Sequence, residues 1–438
     1  MSILRGLVLL APLALMGCSF IDGLLSDNKV PLEGQREVIA VVRRGLSIDI
    51  TDGSAVVVPP ARTIADWPQM GGSPAHTGAN IAVSGLTPAW RADVGSSGGY
   101  RDKILAVPVV AGGRVFTMDA DALVSAFDLQ TGSRQWRTDT QDKEDRSTNV
   151  GGGVAVDGGI VYVTTGRADV LALDAATGAI RWRKSIDSPA RSAPTVANGR
   201  VFVTTIDTKL VALDAKTGER AWQYQGNTIA TTLLGLSAPA VAEGLVVAGF
   251  GSGEIVAVRE DSGALAWSDS LASARGRNSL VDLSAVRGLP VIDQGRVYAI
   301  GAGGLLLSLD LRTGRRLWER EVGGTQTPWL AGDWLFVQTS DQALVAIRTS
   351  DGRLRWVTDL PRFENEAKKS DVIFWTGPVL VGNKLVLAGS NEQAVSVNPV
   401  TGKILGLENL RGAATVTPVA AGGTLLILTE DATLQAFR

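Results

Sequence analysis

The sequence contains a single cysteine and a single histidine among its 438 residues. One cysteine excludes a disulfide within the chain and any zinc site that needs two or more thiolates. One histidine excludes metal sites built on several histidines, such as the HExxH pattern. A large excess of charge is also lacking, since 42 Lys and Arg residues face 44 Asp and Glu residues. This balance argues against a nucleic-acid binder that works by neutralising phosphates.

Sequence motifs typical of catalytic sites are lacking as well. The sequence has no Walker pattern and no nucleophile elbow. The glycine-rich stretch 249–253 is predicted to be an ordinary turn between two strands. His76 lies in the turn-rich stretch 71–78, and we expect a surface or loop-ordering residue there. The chain is rich in glycine, with 51 residues. Hydrophobic residues make up 45% of the sequence, which is enough to form a large core.

The N-terminus resembles a bacterial lipoprotein signal. Arg5 is followed by twelve uncharged, mostly apolar residues, fewer than the roughly 20 that span a bilayer. The apolar run ends at Cys18, which in such signals is lipidated and becomes the mature N-terminus. We predict a signal peptide over 1–17 and a lipid anchor on Cys18, with Ser19 fitting transport to the outer membrane. The alternative is an ordinary secretory signal with an incidental cysteine.

The next segment is polar, contains several prolines and lacks a clear period. Such composition is typical of a linker. We therefore predict a flexible tether over 18–66, between the lipid and a folded body over 67–438.

A repeat of 38 to 51 residues runs through the folded body. In each unit a Trp follows four residues after a turn Gly: Gly132/Trp136, Gly178/Trp182, Gly218/Trp222, Gly263/Trp267, Gly314/Trp318 and Gly352/Trp356. A seventh turn has Gly406 in place of the Trp. This period is typical of the four-stranded blades of a β-propeller. We interpret the Trp residues as core rather than as a binding stripe.

A small residue in the third strand of each repeat unit counts the blades. It occurs eight times, at Ala126, Ala172, Ala212, Ala257, Ser308, Ala346, Ser396 and Ala436. The eighth unit ends without a fourth strand, and the unpaired stretch 88–93 matches the fourth strand at 134–139. We therefore predict an all-β, eight-bladed β-propeller of four-stranded antiparallel blades. The ring is closed by an N-terminal strand that completes the C-terminal blade.

The repeat Ala-Leu-Asp-x-x-Thr-Gly-x-x-x-Trp resembles that of pyrroloquinoline-quinone-enzyme-type propellers. With the lipoprotein signal, the tether, the lead-in 66–69 and eight short blades, nearly the whole mature chain resembles the BamB family. The members of this family are lipoprotein subunits of the outer-membrane β-barrel assembly machinery. The resemblance implies a non-enzymatic scaffold without a cofactor, lipid-anchored on the periplasmic face of the outer membrane. It also implies binding to the central barrel-forming subunit, with unfolded outer-membrane proteins as candidate further partners and no nucleic acid.

The long connections between blades, over 227–236, 268–289 and 361–375, are the natural places for binding on such a scaffold. In the BamB family the partner-binding surface lies on connections into neighbouring middle blades. By this resemblance the partner-binding residues are Leu233, Leu234 and Asp282. Leu234 stands in the place of a family arginine, and Ala285 and Arg287 stand where we align family acids.

Two other functions use the same kind of propeller. One is a quinone-dependent periplasmic dehydrogenase, but such enzymes resemble this chain in fold while being longer, and many carry adjacent cysteines that this chain lacks. The other is a propeller that binds an envelope polymer.

Overall fold

The computed structural model describes residues 45–51, 53–99, 103–141, 149, 151–228, 235–271 and 285–438. The predicted signal peptide over 1–17, Cys18 and the first part of the predicted tether lie outside these residues. The regular structure of the described part consists of β-strands. None of its segments is a helix that could cross a membrane.

Eight four-stranded antiparallel sheets, the blades, are formed by the described residues. The strands of blades 1 to 4, in order from the inner to the outer strand, are β2 (Val109–Ala111), β3 (Arg114–Met118), β4 (Leu123–Asp128) and β5 (Arg134–Asp139); β6 (Gly152–Asp157), β7 (Ile160–Thr165), β8 (Asp169–Asp174) and β9 (Ile180–Ser185); β10 (Thr195–Ala197), β11 (Arg200–Thr204), β12 (Lys209–Asp214) and β13 (Arg220–Gln225); β14 (Ala240–Ala242), β15 (Leu245–Gly249), β16 (Glu254–Arg259) and β17 (Leu265–Ser270).

The strands of blades 5 to 8, in the same order, are β18 (Val291–Asp293), β19 (Arg296–Ile300), β20 (Leu306–Asp310) and β21 (Arg316–Arg320); β22 (Trp329–Ala331), β23 (Trp334–Gln338), β24 (Ala343–Arg348) and β25 (Leu354–Asp359); β28 (Trp375–Val381), β29 (Lys384–Gly389), β30 (Gln393–Val397) and β31 (Ile404–Asn409); β32 (Val419–Ala421), β33 (Thr424–Leu428), β34 (Thr433–Phe437) and β1 (Pro88–Asp93). A two-stranded ribbon, β26 (Phe363–Asn365) with β27 (Ser370–Val372), lies between blades 6 and 7.

The ring closes as predicted, between the two ends of the propeller. Strand β1 pairs antiparallel with β34, and Trp90 lies opposite Ala436. The backbone of Thr87 and that of Arg438 exchange hydrogen bonds of 3.0 and 2.9 Å just beyond the paired strands. The eight-bladed propeller and its closure by an N-terminal strand are both confirmed.

The small residue of each third strand lies directly opposite the Trp of the fourth strand. The pairs are Ala126 with Trp136, Ala172 with Trp182, Ala212 with Trp222, Ala257 with Trp267, Ser308 with Trp318, Ala346 with Trp356 and Ala436 with Trp90. In blade 7 Ser396 faces Gly406 instead. A small partner leaves room for the indole to lie over the sheet.

The turn between the third and fourth strands has the predicted chemistry. In blade 2 the Asp174 carboxylate accepts hydrogen bonds from the backbone N–H groups of Ala176 and Thr177, each at 3.0 Å. The pKa of this carboxyl is lowered to about 2, mainly by its hydrogen bond with the Arg181 guanidinium and next by its hydrogen bond with the Thr177 hydroxyl. Gly178 adopts a φ of +75°, which a side chain would disfavour. The same Asp-to-turn bonds recur in blades 1, 3 and 5.

The core lies between successive blades rather than within one layer. Blades 1 and 2 share one buried cluster that contains Phe116, Val124, Val161 and Leu171. Comparable clusters join blades 2 and 3, 3 and 4, 4 and 5, and 5 and 6. Each sheet is therefore covered on both faces by its neighbours, which accounts for the apolar character of second and third strands.

The predicted tether differs from the structure over its last part. The backbone N–H groups of Asp49 and Ile50 both donate to the Leu354 carbonyl oxygen at 3.0 Å, at the start of the outer strand of blade 6. Ile50 and Val56 are each only 2% exposed. The polar composition of the segment concealed these apolar anchors, so the described residues 45–66 are docked on the propeller instead of forming a free linker.

Candidate functional site: the axis and connection face

The connections between blades emerge on one face of the propeller. At the ends of outer strands, the backbone N–H groups of Gly226, Leu271 and Leu360 donate to carbonyl oxygens in the turn between the second and third strands of the same blade, at 2.8, 2.8 and 3.0 Å. We call this the connection face. The opposite face carries the other two turns of each blade and is called the turn face. All three long connections predicted as binding segments therefore leave from the connection face.

The predicted partner-binding residues Leu233, Leu234 and Asp282 lie outside the described residues. The described ends of their two connections are firmly held. The Leu236 N–H donates to the Arg191 carbonyl oxygen at 3.1 Å, and the Val286 N–H donates to the Phe250 carbonyl oxygen at 3.0 Å. Both connections thus return to the propeller beside each other, close to the axis.

The third long connection contains the β26–β27 ribbon. Phe374 follows the ribbon with 62% of its surface exposed, and Val372 is 48% exposed. The Ser390 N–H donates to the Phe374 carbonyl oxygen at 2.9 Å, which fixes the end of this connection against blade 7.

A segment that the repeat did not predict crosses the axis on the turn face. This hub segment, residues 62–82, visits the inner strands or adjoining turns of all eight blades in ring order. Its contacts begin at blade 8 and end at blade 7: Ile64 with Gly422, Trp67 with Val110, Pro68 with Val156, Gln69 with Val196, Pro74 with Val241, Ala75 with Ile292, Ala79 with Trp329 and Ile81 with Leu380. These hydrogen bonds measure 2.7–3.1 Å.

The prediction that His76 is a surface residue is wrong, because it is only 3% exposed in the hub segment. Its Nδ1 lies 2.8 Å from the Pro290 carbonyl oxygen, at the entry to blade 5. Burial lowers the pKa of His76 to about 4, so the ring is neutral at pH 7. The neutral ring carries its proton on Nδ1 and donates this hydrogen bond to the Pro290 carbonyl oxygen. The bond ties the hub segment to blade 5, which agrees with the other part of the prediction, that His76 orders its loop.

An axial pocket of about 90 Å³ opens between the blades on the connection side of the hub segment. The side chains of Arg191 and Arg287 line it together with Thr327 and Thr417, and Met70 of the hub segment lines its inner end. Burial lowers the pKa of both guanidinium groups from their usual range. The arginines come from connections outside the repeat, so the blade pattern gave no signal for them.

No cluster of three or more His, Cys, Asp or Glu side chains in the described part of the chain could hold a metal ion. The glycine-rich stretch 249–253 is the turn between β15 and β16, as predicted, and Phe250 within it is buried.

Known proteins resemble this chain in both sequence and fold. The family model described as outer membrane protein assembly factor BamB matches residues 82–149 and 120–358. The outer membrane protein assembly factor BamB of Yersinia pestis is 30% identical over 360 residues, covering 80% of this chain and 88% of the relative.

Two solved structures illustrate the range of proteins with this fold. BamB from Moraxella catarrhalis superposes with a TM-score of 0.67 at 21% identity, over 81% of this chain and 99% of that one. Quinohemoprotein alcohol dehydrogenase from Comamonas testosteroni gives 0.66 at 16% identity, over 86% and 81%. At these identities the superpositions show the fold alone. The family model and the sequence relative go further, and by them the chain belongs to the BamB family of outer membrane protein assembly factors.

Proposed function

We propose that this protein is a non-enzymatic scaffold lipoprotein of outer-membrane protein assembly, anchored through Cys18 on the periplasmic face of the outer membrane. It binds the central barrel-forming subunit of the assembly complex and assists the insertion of β-barrel proteins. The observation that carries the proposal is family membership over most of the propeller, since the relatives are named as assembly factors. The rigid ring and its one-sided connections support a docking role.

The partner surface of this proposal consists of Leu233, Leu234 and Asp282. Two features support it. The connections that contain these residues join neighbouring blades 3, 4 and 5, and the described ends of both are fixed by backbone bonds on the connection face.

The test is co-purification of the full-length, lipidated chain from outer membranes solubilised in mild detergent. We expect the central barrel-forming subunit to be retained, and Leu233→Glu to reduce the retained amount at least about tenfold by placing a charge in an apolar contact. Leu405→Glu is the matched control, because Leu405 is a half-exposed leucine on the outer strand of blade 7. If a folded Leu233→Glu chain retains the subunit undiminished, the proposed partner surface is wrong. If the unchanged chain retains no assembly subunit, the proposed function is wrong.

The anchor is tested separately by Cys18→Ala. The unchanged chain should fractionate with outer membranes, whereas the variant should appear in the soluble periplasmic fraction, because it has lost its acyl chains. Release of both proteins to the soluble fraction would contradict the lipid anchor.

The rival function is a quinone-dependent dehydrogenase, which the fold likeness to quinohemoprotein alcohol dehydrogenase brings into consideration. The axial pocket of about 90 Å³ is small against the roughly 300–1,000 Å³ of sites for small-molecule ligands. Incubation of the full chain with pyrroloquinoline quinone and Ca²⁺ should give no bound cofactor spectrum and no alcohol-dependent dye reduction. Either signal would favour the enzyme.

A further inference from the structure

The axial pocket holds two positive charges with no carboxylate among the described residues that line it. Arg191 and Arg287 line it, and no Asp or Glu is among the described residues around it. Neither guanidinium makes an ion pair within the described part of the chain, and Arg191 Nε is buried there without a hydrogen-bond partner. Arginine stays protonated in proteins, so both charges persist at any physiological pH.

Most other arginines of the propeller have partners. Arg183 contacts Asp169 at 2.7 Å, and Arg316 contacts Asp269 at 2.7 Å. A partly buried charge without a counter-charge is destabilising, and two of them in one pocket repel each other as well. The fold therefore keeps at the axis an arrangement that an anion would stabilise.

The remaining walls of the pocket suit one small polar group. The Thr327 hydroxyl oxygen accepts a bond from the Leu289 N–H at 3.0 Å, which leaves its proton free to donate into the pocket. Gly235 has a φ of +77°, and a Cβ there would lie 3.2 Å from Arg287 Nη2, so glycine keeps that guanidinium uncrowded. Met70 and Val107 add apolar surface to the lining.

We propose that this axial pocket is a binding site for a single carboxylate group, held by the Arg191 and Arg287 guanidinium groups. The planar fork of arginine matches the two oxygens of a carboxylate. The carboxylate belongs either to a small organic acid or to a Glu or Asp side chain of a peptide that enters along the axis from the connection face. The test of this site does not depend on the proposed partner.

Titration calorimetry on the full chain, at low salt, tests the site with two probes. One is acetate, and the other is the capped peptide acetyl-Gly-Glu-Gly-amide, with acetyl-Gly-Gln-Gly-amide as its neutral counterpart. We expect saturable binding of a carboxylate probe with a Kd of about 1 mM or tighter and none of the Gln peptide. Binding of the Glu peptide identifies an acidic side chain as the ligand, whereas binding of acetate alone identifies a small acid.

Arg191→Gln and Arg287→Gln should each weaken the binding about tenfold or more, and Arg287→Lys should weaken it less, because the charge remains. Arg312→Gln is the matched control, since this exposed arginine lies in a turn on the opposite face. Without ligand, the two pocket variants should melt at the same or a higher temperature than the parent chain, because each removes a partly buried charge that has no ion-pair partner among the described residues. If the arginines only stabilised the fold, the variants would instead melt at a lower temperature than the parent chain.

The proposal is overturned if neither probe binds at about 10 mM, or if both pocket variants bind as the parent chain does. It is also overturned if Arg312→Gln weakens binding as much as they do, because the effect is then one of net charge. Should one Gln variant fail to fold by circular dichroism, the other variant and Arg287→Lys still decide the question.

Discussion

The periphery and the hub of this propeller are held together in opposite ways. At the periphery one device is used seven times: an indole N–H donates to a turn carbonyl oxygen of the next blade at 2.7–3.2 Å, and the turn glycine of that blade lies on the indole ring. At the hub one segment of the chain, 62–82, makes a different contact with each blade. The outer part is repetitive, and the inner part is unique.

The exception at the periphery explains the rule. Blade 8 takes its third strand from the C-terminus and its fourth strand from the N-terminus, so no turn links them. The outer strand of blade 7 therefore has no turn glycine to cover, and Gly406 occupies its Trp position with open space around it. The comparison teaches that the Trp serves the junction with the next blade rather than its own sheet.

Removing one indole from a peripheral junction should have the largest effect. Trp222 is 9% exposed, packs 5.8 Å from the Phe202 ring and donates to the Glu260 carbonyl oxygen at 2.9 Å. We expect Trp222→Ala to lower the free energy of unfolding by about 3–5 kcal/mol, measured by denaturant titration. An unchanged midpoint would show that the junctions do not hold the ring. Trp222→Phe, which loses the N–H, should cost less.

Burial of His76 in the hub segment should make the stability of the protein depend on pH. His76 has a pKa of about 4 in the folded chain and about 6.5 when unfolded, so the unfolded chain binds more protons between these values. Stability should therefore be full above pH 6.5 and fall by about 3 kcal/mol as the pH drops to 4. This part of the pH dependence should vanish in His76→Gln. An equal slope in both proteins would mean that the hub histidine is not buried.

Substituting a turn glycine by alanine tests the contact between that glycine and the indole of the preceding blade. Gly263 has a φ of +71°, and a Cβ there would lie 2.6 Å from the Trp222 ring. Gly199, with a φ of +76° and nothing within 4 Å, is the matched control. Thermal unfolding should show a loss of about 1–2 kcal/mol for Gly199→Ala, from backbone strain, and about 1–3 kcal/mol more for Gly263→Ala, from overpacking. Equal losses would contradict contact between the glycine and the indole.

The smallest effect is expected where the device is missing. Gly406→Trp should change the free energy of unfolding by no more than about 0.5 kcal/mol, because there is no turn for the indole to cover. A gain as large as the loss in Trp222→Ala would mean that the Trp acts within its own blade.

The division between periphery and hub is also the division between what the sequence predicted and what it did not. The Trp, the small residue opposite it and the turn glycine recur at fixed spacing, so blade count, register and ring closure could be predicted from one blade and extended to the rest. The hub contacts occur once each and are mostly made by the backbone, which leaves no side-chain pattern. His76 was thus assigned to the surface, and Ile50 was hidden in a polar stretch.

The axial arginines escaped prediction for a related reason. Arg191 and Arg287 lie in connections whose lengths differ from blade to blade, and only the closed ring brings them to one pocket. Of the three residues predicted from family resemblance to bind a partner, all lie outside the described residues, so that prediction depends on the binding experiment.

The joining of β1 to β34 has a consequence for how the protein folds. β1 precedes the strands of all other blades and its partner β34 follows them, so the ring closes only when these two distant strands meet. Contacts of such large sequence separation form slowly, so closure should be a late step of folding. A chain truncated before residue 433 would leave β1 and β33 with bare edges, both open to aggregation. The same two edges are exposed in any folding intermediate in which β34 is not yet in place.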